Sequence, residues 1–318
     1  MSKLTPDPDF SRDVRRGLAA RPRSLSSKWF YDARGDELFQ AIMATPEYYL
    51  TGAETEIYRS AAPVLLAALG DEPFDLVELG AGDGSKTQHL IEQFIAAGAD
   101  FAYRPIDISS HALEILGELV YRRWPRLAFS PERGDYFTAL DRLGRHNTRR
   151  ARLVLFPGGN VGNFTPDEAA RFLIHLRSFL RTGDLLFIGF DLKKDPAVIL
   201  AAYNDPTGNT AAFNLNLLAR INRELGANFE LDNWRHWETY NPVSGAARSF
   251  LVARDACTVT IPDHPETYKF EAAEAIDVEI SQKYSRNEIR SLADDSGYTF
   301  VENLEDDEGM FADSLWRV

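Results

Sequence analysis

The sequence predicts an α/β fold, a Rossmann-like doubly wound parallel sheet with an inserted α+β substrate unit. Three observations lead there. First, Val77-Glu-Leu-Gly80-Ala-Gly82-Asp83-Gly84-Ser-Lys86-Thr87 follows an apolar run and precedes a helical pattern of Thr87, Leu90, Ile91, Phe94 and Ile95. That order is strand, glycine turn, helix. Second, strand-like runs alternate with helical patterns from residue 76 to residue 191, as in a parallel sheet covered on both faces. Third, period-two runs beyond residue 230 suit antiparallel strands of a separate unit.

Taken in order, residues 12–19 read as a short helix that ends near Pro22, 36–43 as a second helix and 52–69 as a third. Two aromatic clusters lie among them, Lys28-Trp-Phe-Tyr31-Asp32 and Thr45-Pro-Glu-Tyr48-Tyr49. The parallel strands fall at 76–79, at 102–107, from Leu127 into Gly134-Asp135-Tyr136, at 153–156 and at 185–191, with a helix at 166–180. In such sheets a ligand sits beyond the carboxyl ends of the strands. The glycine and Asp/Asn clusters fall there, including Pro157-Gly158-Gly159-Asn160-Val-Gly162-Asn163. Residues 196–203 and 210–225 then read as helices, and 236–240, 247–253, 257–261 and 275–284 as strands. A helix at 286–296 and strands at 298–301 and 311–316 complete the chain.

Composition excludes several functions. The chain has 318 residues and a formal net charge of −13, which argues against nucleic acid as a partner, since phosphate binding needs a basic face. The single cysteine, Cys257, allows neither a disulfide within the chain nor a multi-cysteine metal site, and no His/Cys cluster argues for a metal. No apolar stretch is long enough to span a membrane, and residues 1–7 lack the apolar core of a signal peptide. A cytoplasmic setting and a monomer are expected.

The acidic residue ahead of the glycines, in Glu78-x-Gly80-x-Gly82, resembles the first loop of class I S-adenosylmethionine (SAM) methyltransferases. A dinucleotide fingerprint wants glycine where Ser85 stands, which disfavours a nicotinamide oxidoreductase. Within this resemblance several residues have two readings. Asp107, ending the second strand, suits a ribose diol, or caps the helix opened by Asp107-x-Ser109-Ser110. Asp135 accepts the adenine amino group with Tyr136 against the ring, or forms an ordinary polar turn. Lys86 meets the SAM carboxylate, or is solvated. Class I methyltransferases end in an antiparallel hairpin on the sheet, which places the tail in the first domain. The expected domains are residues 56–195 with 286–318 for SAM, and residues 1–55 with 196–285 for substrate.

The segment Ala275-Ile-Asp277-Val-Glu279-Ile-Ser281-Gln-Lys283-Tyr284 alternates strictly, with Ile276, Val278 and Ile280 on one face and Glu279 and Ser281 on the other. Side chains two apart on a strand are separated by roughly 6.5–7 Å at the backbone. That spacing suits a grip on both ends of a small polar ring such as imidazole; it equally suits a half-exposed strand. Tyr31, Tyr48, Tyr49 and Tyr203 offer aromatic faces of the kind that attract sulfonium and alkylammonium groups, or simply pack.

A set of segments then occurs in one order: Arg12-Asp13-Val14-Arg15-Arg16-Gly17-Leu18, Leu25-Ser-Ser-Lys28-Trp29-Phe30-Tyr31-Asp32, Pro46-Glu47-Tyr48-Tyr49 and Gly162-Asn163-Phe164. Asp191-Leu-Lys193-Lys194-Asp195, Ala202-Tyr203-Asn204-Asp205, Thr210-Ala-Ala-Phe213-Asn214, Asn222-Arg-Glu224-Leu225 and Glu279-Ile-Ser281-Gln-Lys283 follow. From about residue 11 to the end the chain resembles the histidine-specific Nα-methyltransferases of ergothioneine biosynthesis. The resemblance implies that Gly80, Gly82, Lys86, Asp107, Asp135 and Tyr136 contact SAM. It implies that Tyr48, Gly158, Asn163 and Tyr203 hold the amino and carboxylate groups of a small amino-acid substrate. It implies that Glu279 and Ser281 hold the imidazole. Asn163, Tyr203 and Tyr48 would be the residues closest to catalysis.

There are departures. Ser249 stands where actinobacterial members carry a methionine near the imidazole pocket. Leu50 replaces a proline after the paired tyrosines, and Gly82-Asp83-Gly84 stands where Gly-Thr-Ser is common. The first change bears on the acceptor, because pocket size and polarity set substrate choice. The expected activity is methylation of the histidine α-amino group up to the trimethyl stage (hercynine). The alternatives are a SAM methyltransferase of another amino acid or small amine, and a SAM-binding regulatory protein.

Overall fold

The computed structural model describes residues 7–145, 150–262 and 264–318. Residues 1–6, read above as part of a segment without a signal peptide's apolar core, lie outside the described residues. In chain order the first elements are α1 (Pro8–Ala19), β1 (Arg23–Ser24), α2 (Ala33–Met43), α3 (Leu50–Tyr58), α4 (Ala62–Leu69), β2 (Phe74–Leu79), α5 (Thr87–Ala96) and β3 (Phe101–Asp107). Next come α6 (Ser110–Arg123), β4 (Ala128–Phe129), β5 (Glu132–Arg133), α7 (Tyr136–Arg145), β6 (Ala151–Phe156), α8 (Pro166–Arg177) and β7 (Leu185–Asp191). Then follow α9 (Pro196–Tyr203), α10 (Asn209–Leu225), β8 (Trp234–Asn241), β9 (Ala246–Ala253), β10 (Cys257–Thr260), β11 (Thr267–Phe270), β12 (Ala275–Gln282), α11 (Arg286–Asp295), β13 (Thr299–Glu305) and β14 (Phe311–Arg317). None of the described helices is long and apolar enough to cross a membrane.

The chain divides into two compact units. One, here the Rossmann-like unit, is Leu50–Lys193 with Gln282–Val318; the second is Met1–Tyr49 with Lys194–Ser281. These seams lie a few residues from the ends read in the sequence.

The Rossmann-like unit holds a sheet in the order β13-β14-β7-β6-β2-β3-β4, with β5 also on β3. Strands β7, β6, β2, β3 and β4 pair in parallel, while β14 and β13 add an antiparallel hairpin. This is the class I methyltransferase arrangement. Every residue of β2 and β7 is buried, as expected of parallel strands covered on both faces. Val77, Leu79, Val154, Phe156, Ile188 and Phe190 pack against Ala169, Leu173 and Leu176 of α8 and Ile289 and Ala293 of α11 in one core. Helix α8 starts where it does because Thr165 and Glu168 form a reciprocal capping box and Pro166 occupies the first turn. Strand order reverses at β2, which has β3 on one side and β6 on the other. The loops after β2 and β6 therefore flank the switch point, where open α/β sheets bind ligands.

In the second unit a sheet runs β1-β12-β9-β8, with β10 and β11 as a separate hairpin. Phe10, Val14 and Leu18, one face of α1, share a core with Phe213, Leu217, Leu218, Ile221 and Leu225 of α10 and with Leu251, Ile276 and Val278 of the sheet.

The structure corrects three element readings. The helix read at 52–69 is two helices, α3 and α4, because Pro63 lacks an N–H and belongs in a first turn. The third strand is two short pieces, β4 and β5, separated by Ser130-Pro131. Strand β11 was missed, since Thr267–Phe270 is too short to show a period.

Candidate active site

In the Rossmann-like unit, β2 ends in Glu78-Leu79 and turns at Gly80. Gly80 takes φ +76°, which a side chain would strain, and a Cβ there would stand 3.0 Å from the Tyr136 hydroxyl, a tight contact. Glu78 lies beneath this turn, 2 % exposed, accepting hydrogen bonds from the Thr87 hydroxyl at the start of α5 and from the Tyr103 hydroxyl of β3. Burial pushes its carboxyl up to about 7 against the pull of those two donors. The acidic residue of the motif thus braces the loop from below.

Asp107 at the end of β3 accepts the Gly82 N–H at 3.0 Å and the Ser109 N–H at 2.8 Å. It is not the cap of α6. Ser109 is, accepting the Ala112 N–H at 3.1 Å. Asp135 is exposed and accepts the Thr138 N–H at 3.0 Å; hydrogen bonds to Thr138 hold its carboxyl below the usual range. Tyr136 is largely covered, and burial with the nearby Asp107 charge pushes its phenol up to about 12. Lys86 immediately precedes α5 and pairs with Glu54 of α3. Burial pulls its ammonium pKa down, but Glu54, with Asp313 and Glu78, outweighs burial and the pKa ends raised. A Cβ on Gly158 would lie 3.6 Å from the Lys86 Nζ and 3.3 Å from the Asn160 Nδ2, so the loops after β2 and β6 meet here. Asn163, exposed, ends the 3-10 turn Asn160–Asn163.

In the second unit, α9 ends at Tyr203, whose hydroxyl lies 2.7 Å from the Ser281 hydroxyl on β12. The His236 Nε2 is 3.0 Å from the Tyr203 carbonyl oxygen, so it carries the proton there; burial lowers its pKa. Ser249 on β9 is 1 % exposed, with its hydroxyl 2.7 Å from Glu238 of β8 and 3.2 Å from Glu279 of β12. Glu238, Ser249 and Glu279 thus form a polar row across three strands. The expected alternation holds at Ile276 and Val278 but breaks at Glu279 and Ile280, both half-buried, before Ser281 and Gln282, both buried.

The structure therefore brings Ser249 to Glu279 and Ser281 to Tyr203, and gathers Gly80 with Tyr136 and Gly158 with Lys86 about the Asn160 amide. Tyr48 stands in the other apolar cluster, its ring edge-on to Phe39 at 6.2 Å. The face of Tyr49 carries the Lys194 ammonium, 4.2 Å from the ring centroid. Sequence reasoning missed Glu54, Asn160 and Glu238. Nothing local marks the first and last, whereas Asn160 lay inside the glycine-rich segment already singled out.

A family profile described as "Histidine-specific methyltransferase, SAM-dependent" matches residues 10–318. The chain is 38 % identical over 284 residues to a histidine N-alpha-methyltransferase of Mycolicibacterium smegmatis, covering 89 % of this chain and 87 % of that protein. It is 36 % identical over 308 residues to the histidine N-alpha-methyltransferase of Mycobacterium tuberculosis, covering 96 % and 93 %. To ergothioneine biosynthesis protein 1 of Schizosaccharomyces pombe it is 31 % identical, over 88 % of this chain and 37 % of that one. The chain belongs to the histidine-specific, SAM-dependent methyltransferase family, and SAM is its methyl donor.

Proposed function

We propose that this protein transfers methyl groups from SAM to the α-amino group of L-histidine, up to the trimethyl product hercynine, within ergothioneine biosynthesis. Family membership supports the reaction. The observation that carries the acceptor is the polar pairing on β12: Glu279 with Ser249 at 3.2 Å and, two residues on, Ser281 with Tyr203 at 2.7 Å.

The residues of the Rossmann-like unit fit SAM chemically. Asp107, held by two N–H donors, keeps acceptor capacity for a ribose diol. Asp135 is read as the acceptor for the adenine amino group, Tyr136 as a wall for its ring, Gly80 and Gly82 as the close backbone approach, and Lys86 as the counter-charge to the carboxylate. Bound SAM supplies a sulfonium methyl already activated for displacement. The protein's task is then to align a neutral amine in line with it, with no metal required.

Gly158 and Asn163 are assigned to the amino acid's amino and carboxylate groups, as are Tyr48 and Tyr203. Asn163 and Tyr203 orient the amine, and Tyr48 helps anchor the carboxylate. Glu279 accepts one imidazole N–H. A hydroxyl has one proton and two acceptor sites, so Ser281 donates to the bare ring nitrogen while accepting from Tyr203. The single Ser249 hydroxyl proton lies between Glu238 at 2.7 Å and Glu279 at 3.2 Å, so Glu279 receives the weaker share of it and keeps acceptor capacity for the ring. We read the protein as a cytoplasmic monomer. The test is turnover with SAM across the standard amino acids. Product on histidine alone supports the proposal. Product on another amino acid overturns the imidazole assignment, and SAM binding without turnover on any of them favours a regulatory protein.

A further inference from the structure

Glu54 has no part in the motifs described so far, yet it is 1 % exposed, and a buried carboxylate persists only where it is paired. Its two oxygens serve two different loops. Oε2 pairs with the Lys86 ammonium after β2, and Oε1 accepts the Gly158 N–H after β6 at 2.6 Å. Those loops flank the switch point. The space for Glu54 is made by Gly189 on β7, where a Cβ would stand 2.8 Å from Oε1. Opposite Gly189 in register lies Asp313 of β14, fully buried, with neither carboxylate oxygen hydrogen-bonded. Burial, and then the Glu54 charge, push the Asp313 carboxyl well above the usual carboxylate range against the opposing pull of Lys86. The groups that face Lys86 are thus Glu54 on α3, Asp313 on β14 and Glu78 on β2.

We infer that Glu54 is a positioning residue of the cofactor site: it acts through Lys86 and Gly158, locking a charged ammonium and the loop after β6 together where SAM's carboxylate is received. The inference rests on the reading of Lys86 as the contact of that carboxylate. Two consequences separate it from a merely structural role. Without Glu54, Lys86 is a half-buried ammonium left with Asp313 and Glu78 and loses its proton at a lower pH. The loss of affinity therefore grows with pH. It also disappears when Lys86 is already gone.

The experiment is calorimetric binding of SAM to the full chain across neutral to alkaline pH, for wild type, Glu54→Gln, Glu54→Asp, Lys86→Met and the double variant Glu54→Gln/Lys86→Met. Affinities are read as ratios to wild type at each pH, so that the ligand's own titration cancels. Glu54→Gln is expected to weaken binding about tenfold near neutrality and more at alkaline pH. The double variant is expected to match Lys86→Met within about threefold. Glu54→Asp, which keeps the charge but is one methylene too short for both contacts, is expected to fall between, and decides the matter if Glu54→Gln does not fold. Wild-type affinity at every pH in Glu54→Gln or, where that variant does not fold, in Glu54→Asp, beside a weak Lys86→Met, overturns the inference alone. So does a double variant whose losses add. Unchanged affinity in Lys86→Met removes the underlying reading of Lys86, and the inference with it.

Discussion

The hydroxyls of Tyr203 and Ser281 lie 2.7 Å apart, joining the end of α9 to β12 within one unit. Tyr203 is 8 % exposed and its ring packs with Ile199, Ala202 and Ala247, so the hydroxyl is presented from a rigid base. Tyr203→Phe keeps that packing and removes one donor. It is expected to lower kcat/KM for histidine about 10- to 100-fold while leaving SAM affinity within about twofold. Steady-state kinetics with calorimetry checks this; an equal loss of both affinities would place Tyr203 in the fold rather than at the substrate.

Glu279→Ala removes the carboxylate assigned to the imidazole and should weaken histidine binding at least about tenfold, far more than SAM binding. Ser249→Ala leaves that carboxylate in place but removes its link to Glu238, and should cost only about fivefold. Histidine titrations of the two variants give the order. Unchanged histidine affinity in Glu279→Ala would sink the pocket assignment.

Glu78 sets a pH dependence of stability. Its carboxyl, pushed up to about 7, keeps its proton in the folded chain after the unfolded chain, at the ordinary value of 4.5, has lost it. The folded state then binds more protons between those values, so stability falls as pH rises through that window, by about 3 kcal/mol in total. Glu78→Gln should remove this slope. Urea unfolding of both proteins at pH values bracketing the window checks it, and parallel stability curves would contradict it.

Lys283 is fully buried and lies 2.7 Å from Asp191, itself 3 % exposed. Lys283→Met removes the ammonium from beside a buried carboxylate and is expected to cost about 3–5 kcal/mol, most of it regained by adding Asp191→Asn. Denaturant midpoints of the single and double variants give the coupling directly. Additive losses would show that the two side chains do not act as a pair.

Much of the Rossmann-like unit was legible because its signals are local. A glycine turn between an apolar run and a helical pattern marks β2 and α5, and Asp107 ends a strand that reads as one. Pro63 and Pro131 each interrupt an element where the apolar pattern suggests continuity, because neither has an N–H to donate. Glu54 was not legible. Its role depends on α3 packing against β14 and on the absence of a side chain at Gly189, and no spacing along the chain encodes either. Glu238 was hidden for a related reason. It reaches Glu279 through Ser249, and the alignment of β8 with β9 that pairs Glu238 with Ser249 is set by the sheet.

The central claim is methylation at the histidine α-nitrogen, and the position of the methyl groups tests it most directly. Products formed from histidine and SAM should be resolved by mass and located by proton NMR. The account predicts a series of one, two and three methyl groups, all on the α-nitrogen, with the imidazole unmodified. Methyl groups on a ring nitrogen, or no product from histidine while SAM still binds, would contradict it.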